Sequence, residues 1–226
     1  MKSILFILML IFALAKPKPH LIHMTNLTYS YLALGDSYTI GESVLLKENF
    51  PNQTVQILRK QGFYFNDPEI IAKTGWTTDE LQNAIDQHKF LSTYDFVTFL
   101  IGVNNQYRGR SIENYKTEFE NLLKQAIKFA VNDASHVFVL SIPDWGVTPF
   151  AEGLDRKQIA KEIDEYNAAN KMISEKYKVN YIDITPGTRE AANDPNLLAK
   201  DGLHPSAKDY LRWAEKTASV FNLQLK

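Results

Sequence analysis

The chain has 226 residues, 45% of them hydrophobic and 23% charged, with a formal net charge of -1. That balance fits a single globular domain with a sizeable core and offers no basic surface for nucleic acid. Cysteine is absent, which excludes disulfides, thiolate metal sites and a cysteine nucleophile.

The N-terminus has the pattern of a secretory leader. Lys2 supplies a positive start, Ile4 to Leu14 is an unbroken apolar run, and Ala13-Leu14-Ala15 is a small-x-small cleavage signal. Lys16-Pro17-Lys18-Pro19 then breaks any helix. The alternative is an uncleaved anchor, but the run falls short of the roughly 20 residues that a span needs. The expected organisation is a signal peptide over residues 1–15, a linker over 16–27 and one domain over 28–226. The expected product is secreted or periplasmic, with no stable membrane insertion after cleavage.

Beyond the linker, apolar runs alternate with helical patterns. Strands are expected at Tyr29–Leu34, Glu69–Ala72, Asp95–Ile101, His136–Ile142 and Val179–Asp183. Most lack polar alternation, as strands covered on both faces do. Ser111 can cap a helix whose one apolar face carries Ile112, Tyr115, Phe119, Leu122, Leu123 and Ala126. Asp155 can start another, striped by Ile159, Ile163, Tyr166, Ile173 and Tyr177, and a last helix follows Pro205 with Tyr210, Trp213, Ala214 and Phe221. Strand–helix alternation of this kind implies an α/β fold with a parallel sheet and helices on both faces. Chemistry in such a sheet belongs at the carboxyl ends of the strands.

Four short motifs fall at such positions. Gly35-Asp36-Ser37 ends the first strand, where a serine can face solvent as a nucleophile, or where Asp36 or Ser37 can simply cap a helix. Thr74-Gly75-Trp76 follows the second strand, and the Gly75 N–H can serve as an oxyanion donor. Gly102-Val103-Asn104-Asn105 follows the third, where the Asn104 side chain can do the same or belong to a plain turn. Near the C-terminus, Asp201-Gly202-Leu203-His204-Pro205 spaces an aspartate to hold the imidazole Nδ1–H and leave the other nitrogen free for a hydroxyl proton. An ordinary turn is the other reading. A metal site would need more ligands than one Asp and one His, and His20, His23, His88 and His136 are not in ligand spacing, so no metal is expected.

Together these motifs resemble the SGNH hydrolases, the GDSL esterase/lipase family, from Gly35 to Pro205. Ser37 matches the family nucleophile, Gly75 the second-block glycine, Asn104 the third-block asparagine, and Asp201 and His204 the fifth block. Asn105 departs from the pattern, standing where the family more often has Asp. The resemblance implies a three-layer α/β/α sandwich, a five-stranded parallel sheet of flavodoxin-like order, no cofactor, and a Ser37–His204–Asp201 triad. The oxyanion hole would be the Ser37 and Gly75 N–H groups with the Asn104 amide. It implies a serine esterase acting on a small-molecule or carbohydrate ester, with small acyl or acetyl groups favoured by the lack of a lid; the leader pattern makes it an exported one, and one domain with near-balanced charge makes a monomer the default expectation.

Tyr38, Trp76, Tyr107, Trp145 and Phe150 lie near strand ends and can line a substrate site or anchor loops. Lysophospholipase or thioesterase activity stays open within the family, as does a non-catalytic carbohydrate-binding module on the same fold. A flavin or nucleotide site is disfavoured because the loop at Ser37 lacks a phosphate-cradling pattern.

Overall fold

The computed structural model describes residues 27–225. The expected leader, its cleavage site and most of the linker lie outside the described residues. Five parallel strands form the main sheet: β1 Tyr31–Asp36, β2 Glu69–Lys73, β3 Phe96–Leu100, β4 Val137–Leu140 and β5 Asn180–Ile182. Their spatial order is β2-β1-β3-β4-β5. This is the flavodoxin-like arrangement, whose switch point lies between β1 and β3. A parallel two-residue pairing of Thr28–Tyr29 with Tyr64–Phe65 stands apart from the sheet.

The helices are α1 Ser37–Ile40, α2 Phe50–Lys60, α3 Thr78–Gln87, α4 Val103–Tyr107, α5 Ile112–Phe129, α6 Arg156–Tyr177, α7 Thr185–Thr188 and α8 Ala207–Phe221. Alternate strand residues point to opposite faces, and ring contacts show what each face meets. Phe221 of α8 packs on Tyr31, Phe96 and Phe138 at centroid distances of 5.3, 4.4 and 4.5 Å. On the other face, Phe99 stacks on Phe119 of α5 at 4.8 Å. Helices therefore cover both faces, and all residues of β1, β3 and β4 are buried, which explains their unalternating apolar sequence. No helix among the described residues is long and apolar enough to cross a membrane.

The capping expectations are met at both helices for which they were made. Ser111 accepts the Asn114 N–H, and Asp155 accepts those of Lys157 and Gln158. At α8 the cap is Ser206, which accepts the Asp209 N–H, so Pro205 lies outside the helix.

Register places the motifs level with one another. Gly35 pairs with Leu100 and with Ala72, and Asp36 with Lys73. Ser37, Thr74 and Ile101 therefore leave the sheet side by side at its carboxyl edge.

Candidate active site

The turn from β1 into α1 leaves no room for a side chain at Gly35. A Cβ there would lie 2.5 Å from the Leu100 carbonyl oxygen and 2.1 Å from Thr39 Oγ1. Glycine thus lets the first strand lie against the third at the switch point. Asp36 is the N-cap of α1, its Oδ1 accepting the Tyr38 N–H at 3.0 Å. The capping and nucleophile readings are therefore not rivals: Asp36 caps, and Ser37 begins the helix. An N–H in a helix's first turn has no intrahelical acceptor, so that of Ser37 stands at the positive end of α1.

Asp36 is fully buried and meets no cation. Burial pushes its carboxyl up to about 7, against the lowering effect of hydrogen bonds from the backbone and from Asn104. The Asn104 amide donates to the Trp76 carbonyl at 3.0 Å and, at a longer 3.4 Å, to Asp36 Oδ2.

His204 and Asp201 sit on a short, pinned loop. His204 Nδ1 lies 2.7 Å from Asp201 Oδ2. Asp201 Oδ1 accepts the backbone N–H groups of Leu203 and His204, each at 3.0 Å. The Ser43 hydroxyl donates to Asp201 Oδ2 at 2.6 Å. Burial works to raise the Asp201 carboxyl, but these four hydrogen bonds outweigh it and hold the group down to about 2. The loop closes on itself through the Ala199 N–H to the His204 carbonyl at 2.8 Å. Against the other side of the imidazole lies the Tyr38 ring, 5.0 Å away between centroids and itself stacked on Trp213.

One cleft of about 450 Å³, counting its open mouth, is lined by Ser37, Tyr38, Gly75, Asn104, Trp145 and His204 together with Thr74, Val103, Tyr107, Phe150 and Leu203. Ser37 and His204 thus face the same space, with no hydrogen bond between their side chains in this state. Catalytic hydrogen bonds often tighten only when substrate binds. Trp76 is not in the lining. It is partly buried against the core, and its carbonyl is what positions Asn104. Trp145 is nearly buried, its indole N–H held by Gln106 Oε1 at 2.7 Å. Tyr107 and Phe150 pack on it at 5.3 and 5.9 Å and remain about half exposed at the rim.

Two supporting residues, Ser43 and Arg108, escaped the sequence reading, and Thr74 was named there only as part of its motif. Ser43 lies in a turn with no signature. Arg108 donates to the Gly75 carbonyl at 2.6 Å, while its own N–H bonds to the Asn104 carbonyl at 3.0 Å. It therefore ties together the two loops that carry the candidate oxyanion donors. Thr74, beside Gly75, donates to Glu42, just past α1. Only neighbours in space reveal such contacts, since each joins segments far apart in the chain.

Asn105 is buried and holds the start of α3. Its Oδ1 accepts the Thr78 N–H at 3.1 Å, and its Nδ2 donates to the Thr78 hydroxyl at 2.6 Å. That hydroxyl gives its own proton to Glu118. The partner at position 105 must then be a donor, which is why asparagine, and not aspartate, suits this chain.

A family model, the GDSL-like lipase/acylhydrolase family, matches residues 33–211. Among solved structures, the acetylxylan esterase Axe2 from Geobacillus stearothermophilus superposes with a TM-score of 0.68 at 17% identity, covering 85% of this chain and 93% of its own. The lipase/acylhydrolase from Enterococcus faecalis gives 0.68 at 17% identity, covering 88% and 97%. The esterase EstA from Pseudoalteromonas sp. gives 0.62 at 15%, covering 87% and 98%. Comparison with curated protein sequences gives no match. The chain belongs to the GDSL-like lipase/acylhydrolase family and is an ester-hydrolysing serine hydrolase.

Proposed function

We propose that Ser37, His204 and Asp201 are the catalytic triad, acting on carboxylic esters with small acyl groups. The observation that carries this is the single cleft where Ser37 and His204 meet, with Asp201 2.7 Å behind the imidazole. His204 takes the Ser37 hydroxyl proton as the oxygen attacks the ester carbonyl, and Asp201 stabilises the imidazolium. The carbonyl oxygen becomes an oxyanion beside the Ser37 and Gly75 N–H groups and the Asn104 amide. Asn104 can give up its long 3.4 Å bond to Asp36 and turn that N–H to the oxyanion. His204 then protonates the leaving alcohol as its bond to the acyl carbon breaks. Water, deprotonated by His204, attacks the acyl carbon; the bond to Ser37 Oγ breaks, His204 returns the proton to that oxygen, and the acid leaves.

Tyr107, Trp145 and Phe150 form an aromatic wall that suits either a sugar ring or an acyl chain. A carbohydrate ester is the reading we favour, in line with the acetylxylan esterase among the structural neighbours. The apolar lining of Val103, Leu203 and Phe150 supports a second reading, a longer acyl group as in a thioesterase or lysophospholipase. The leader pattern of residues 1–15 supports export.

Hydrolysis of p-nitrophenyl acetate and butyrate, measured beside Ser37→Ala, tests the triad. Turnover should collapse in the variant, and a fluorophosphonate probe should label the wild type at Ser37 alone. Turnover untouched by Ser37→Ala would overturn the assignment. Acetylated xylo-oligosaccharides against butyryl and longer esters then decide between the two substrate readings.

A further inference from the structure

Ser43 occupies a backbone conformation that its side chain makes costly. The Val44 N–H bonds to the Gly41 carbonyl at 3.2 Å, closing a turn in which Ser43 is the third residue with φ of 66°. That position in a turn favours glycine or asparagine. A non-glycine L-residue held in this region carries backbone strain. The side chain makes one hydrogen bond among the described residues, the 2.6 Å donation to Asp201 Oδ2.

That bond differs in kind from the others at Asp201. The His204 ring and the Leu203 and His204 N–H groups all belong to the same four-residue loop as the carboxylate. Ser43 alone reaches it from another part of the fold, 158 residues away in sequence. It reaches from the turn that ends α1, where the Gly41 and Glu42 N–H groups bond to the Ser37 carbonyl at 3.1 and 3.0 Å. The turn is itself fixed by Asn49, whose Nδ2 donates to the Ile40 carbonyl at 3.0 Å. A continuous path therefore runs from Ser37 through α1 and the turn to Asp201 and His204.

We propose that Ser43 is a positioning residue for the catalytic acid, its hydroxyl fixing the Asp201 carboxylate, and through it the His204 ring, relative to the element that carries Ser37. The inference rests on the triad reading above. Asp201 Oδ2 accepts from Ser43 and from His204 Nδ1 at once. The Ser43 bond thus sets the direction from which that oxygen meets the imidazole. A hydrogen bond to a charged group is among the stronger kinds, and small misplacements of a catalytic base are costly in rate. The strained φ is retained because glycine, which would relieve it, has no hydroxyl.

Two variants separate this role from backbone strain. Ser43→Ala removes the hydroxyl and keeps the strained φ; Ser43→Gly removes both. We expect kcat to fall about tenfold in each, with KM within about twofold, while Ser43→Gly is at least as heat-stable as wild type. The second readout needs no substrate. In proton NMR the downfield His204 Nδ1–H resonance, assigned by its loss in His204→Asn, should shift upfield or broaden in both variants. Unchanged kcat with an unmoved resonance overturns the proposal, as does a loss seen in Ser43→Ala but not in Ser43→Gly. Turnover that survives Ser37→Ala would sink the triad reading instead, and the resonance would still report whether Ser43 holds the pair.

Discussion

Two aspartates in this site lie on either side of the ordinary carboxylate range, for opposite reasons. Asp36 is buried beside amides and N–H groups with no cation, and its carboxyl is pushed up to about 7. Asp201 is partly open and accepts four hydrogen bonds that hold it down to about 2. Linkage turns each shift into a slope. As pH rises from about 4 to 7, an unfolded chain releases the Asp36 proton while the folded one keeps it, so folded stability falls across that window. Asp201 works the other way: its contribution is full above about pH 4 and is lost as pH drops towards 2. Its partial exposure limits it to about 1–2 kcal/mol. Asp36→Asn removes the first slope. The amide oxygen can still cap Tyr38, and the weak Asn104 bond is lost as a constant offset. The melting-temperature difference between Asp36→Asn and wild type should move in the variant's favour from pH 4 to 7 and then level off. A difference that stays flat across that range would mean that Asp36 is already ionised in the folded state.

At the scale of elements, the hydrogen-bond logic around Asn105 decides how α3 and α4 are joined. Thr78 has one hydroxyl proton and gives it to Glu118, so Asn105 must supply the other. Asn105→Asp puts a second acceptor where a donor is needed and a carboxylate close to Glu118. We expect a loss of about 1–3 kcal/mol at pH 7 in denaturant titrations. Most of it should be recovered in the double variant with Glu118→Gln, because the two positions share one partner. The same scale shows what pattern reading can reach. All five strands were legible: burial on both faces writes apolar runs at β1, β3 and β4, while the partly buried edge strands β2 and β5 show only short ones. So were α5, α6 and α8, whose stripes are long and carry caps. The helices α2 and α3 were not. The buried face of α2 includes Pro51 and Thr54, the latter hiding its hydroxyl against the Phe50 carbonyl. That of α3 is Thr78, Leu81 and Ile85. Buried polar residues, Thr54 bonded to its own backbone and Thr78 to the Asn105 and Glu118 side chains, dilute the apolar period, and α1 and α4 are too short to show one. The Asp201–His204 contact was legible because an aspartate three residues before a histidine can fold back onto its Nδ1 within one short loop. Ser43 and Arg108 were not, because what they touch is set only by the assembled sheet.

In the whole molecule, the site depends on bringing both ends of the domain to one edge of the sheet. Ser37 leaves β1, an inner strand of the sheet, early in the chain, and His204 arrives immediately before the last helix. What places His204 is therefore how α8 docks. Its inner face buries Tyr210, Trp213, Ala214 and Phe221. Trp213 stacks on Tyr38, the residue after Ser37, and touches Phe50 of α2. At the far end Phe221, fully buried, sits among rings from β1, β3 and β4. Losing that ring opens a cavity against three strands at once, so Phe221→Ala should cost about 3–5 kcal/mol. Because α8 packs on the central strands, it belongs to the cooperative unit they form. The loss should appear as a lower denaturant midpoint with an unchanged slope. Esterase activity should fall along the same curve as the far-ultraviolet circular dichroism, and kcat per folded molecule in dilute buffer should stay near the wild-type value. Activity lost at lower denaturant than secondary structure would show that α8 and the His204 loop undock before the sheet unfolds, as a separate, less stable unit.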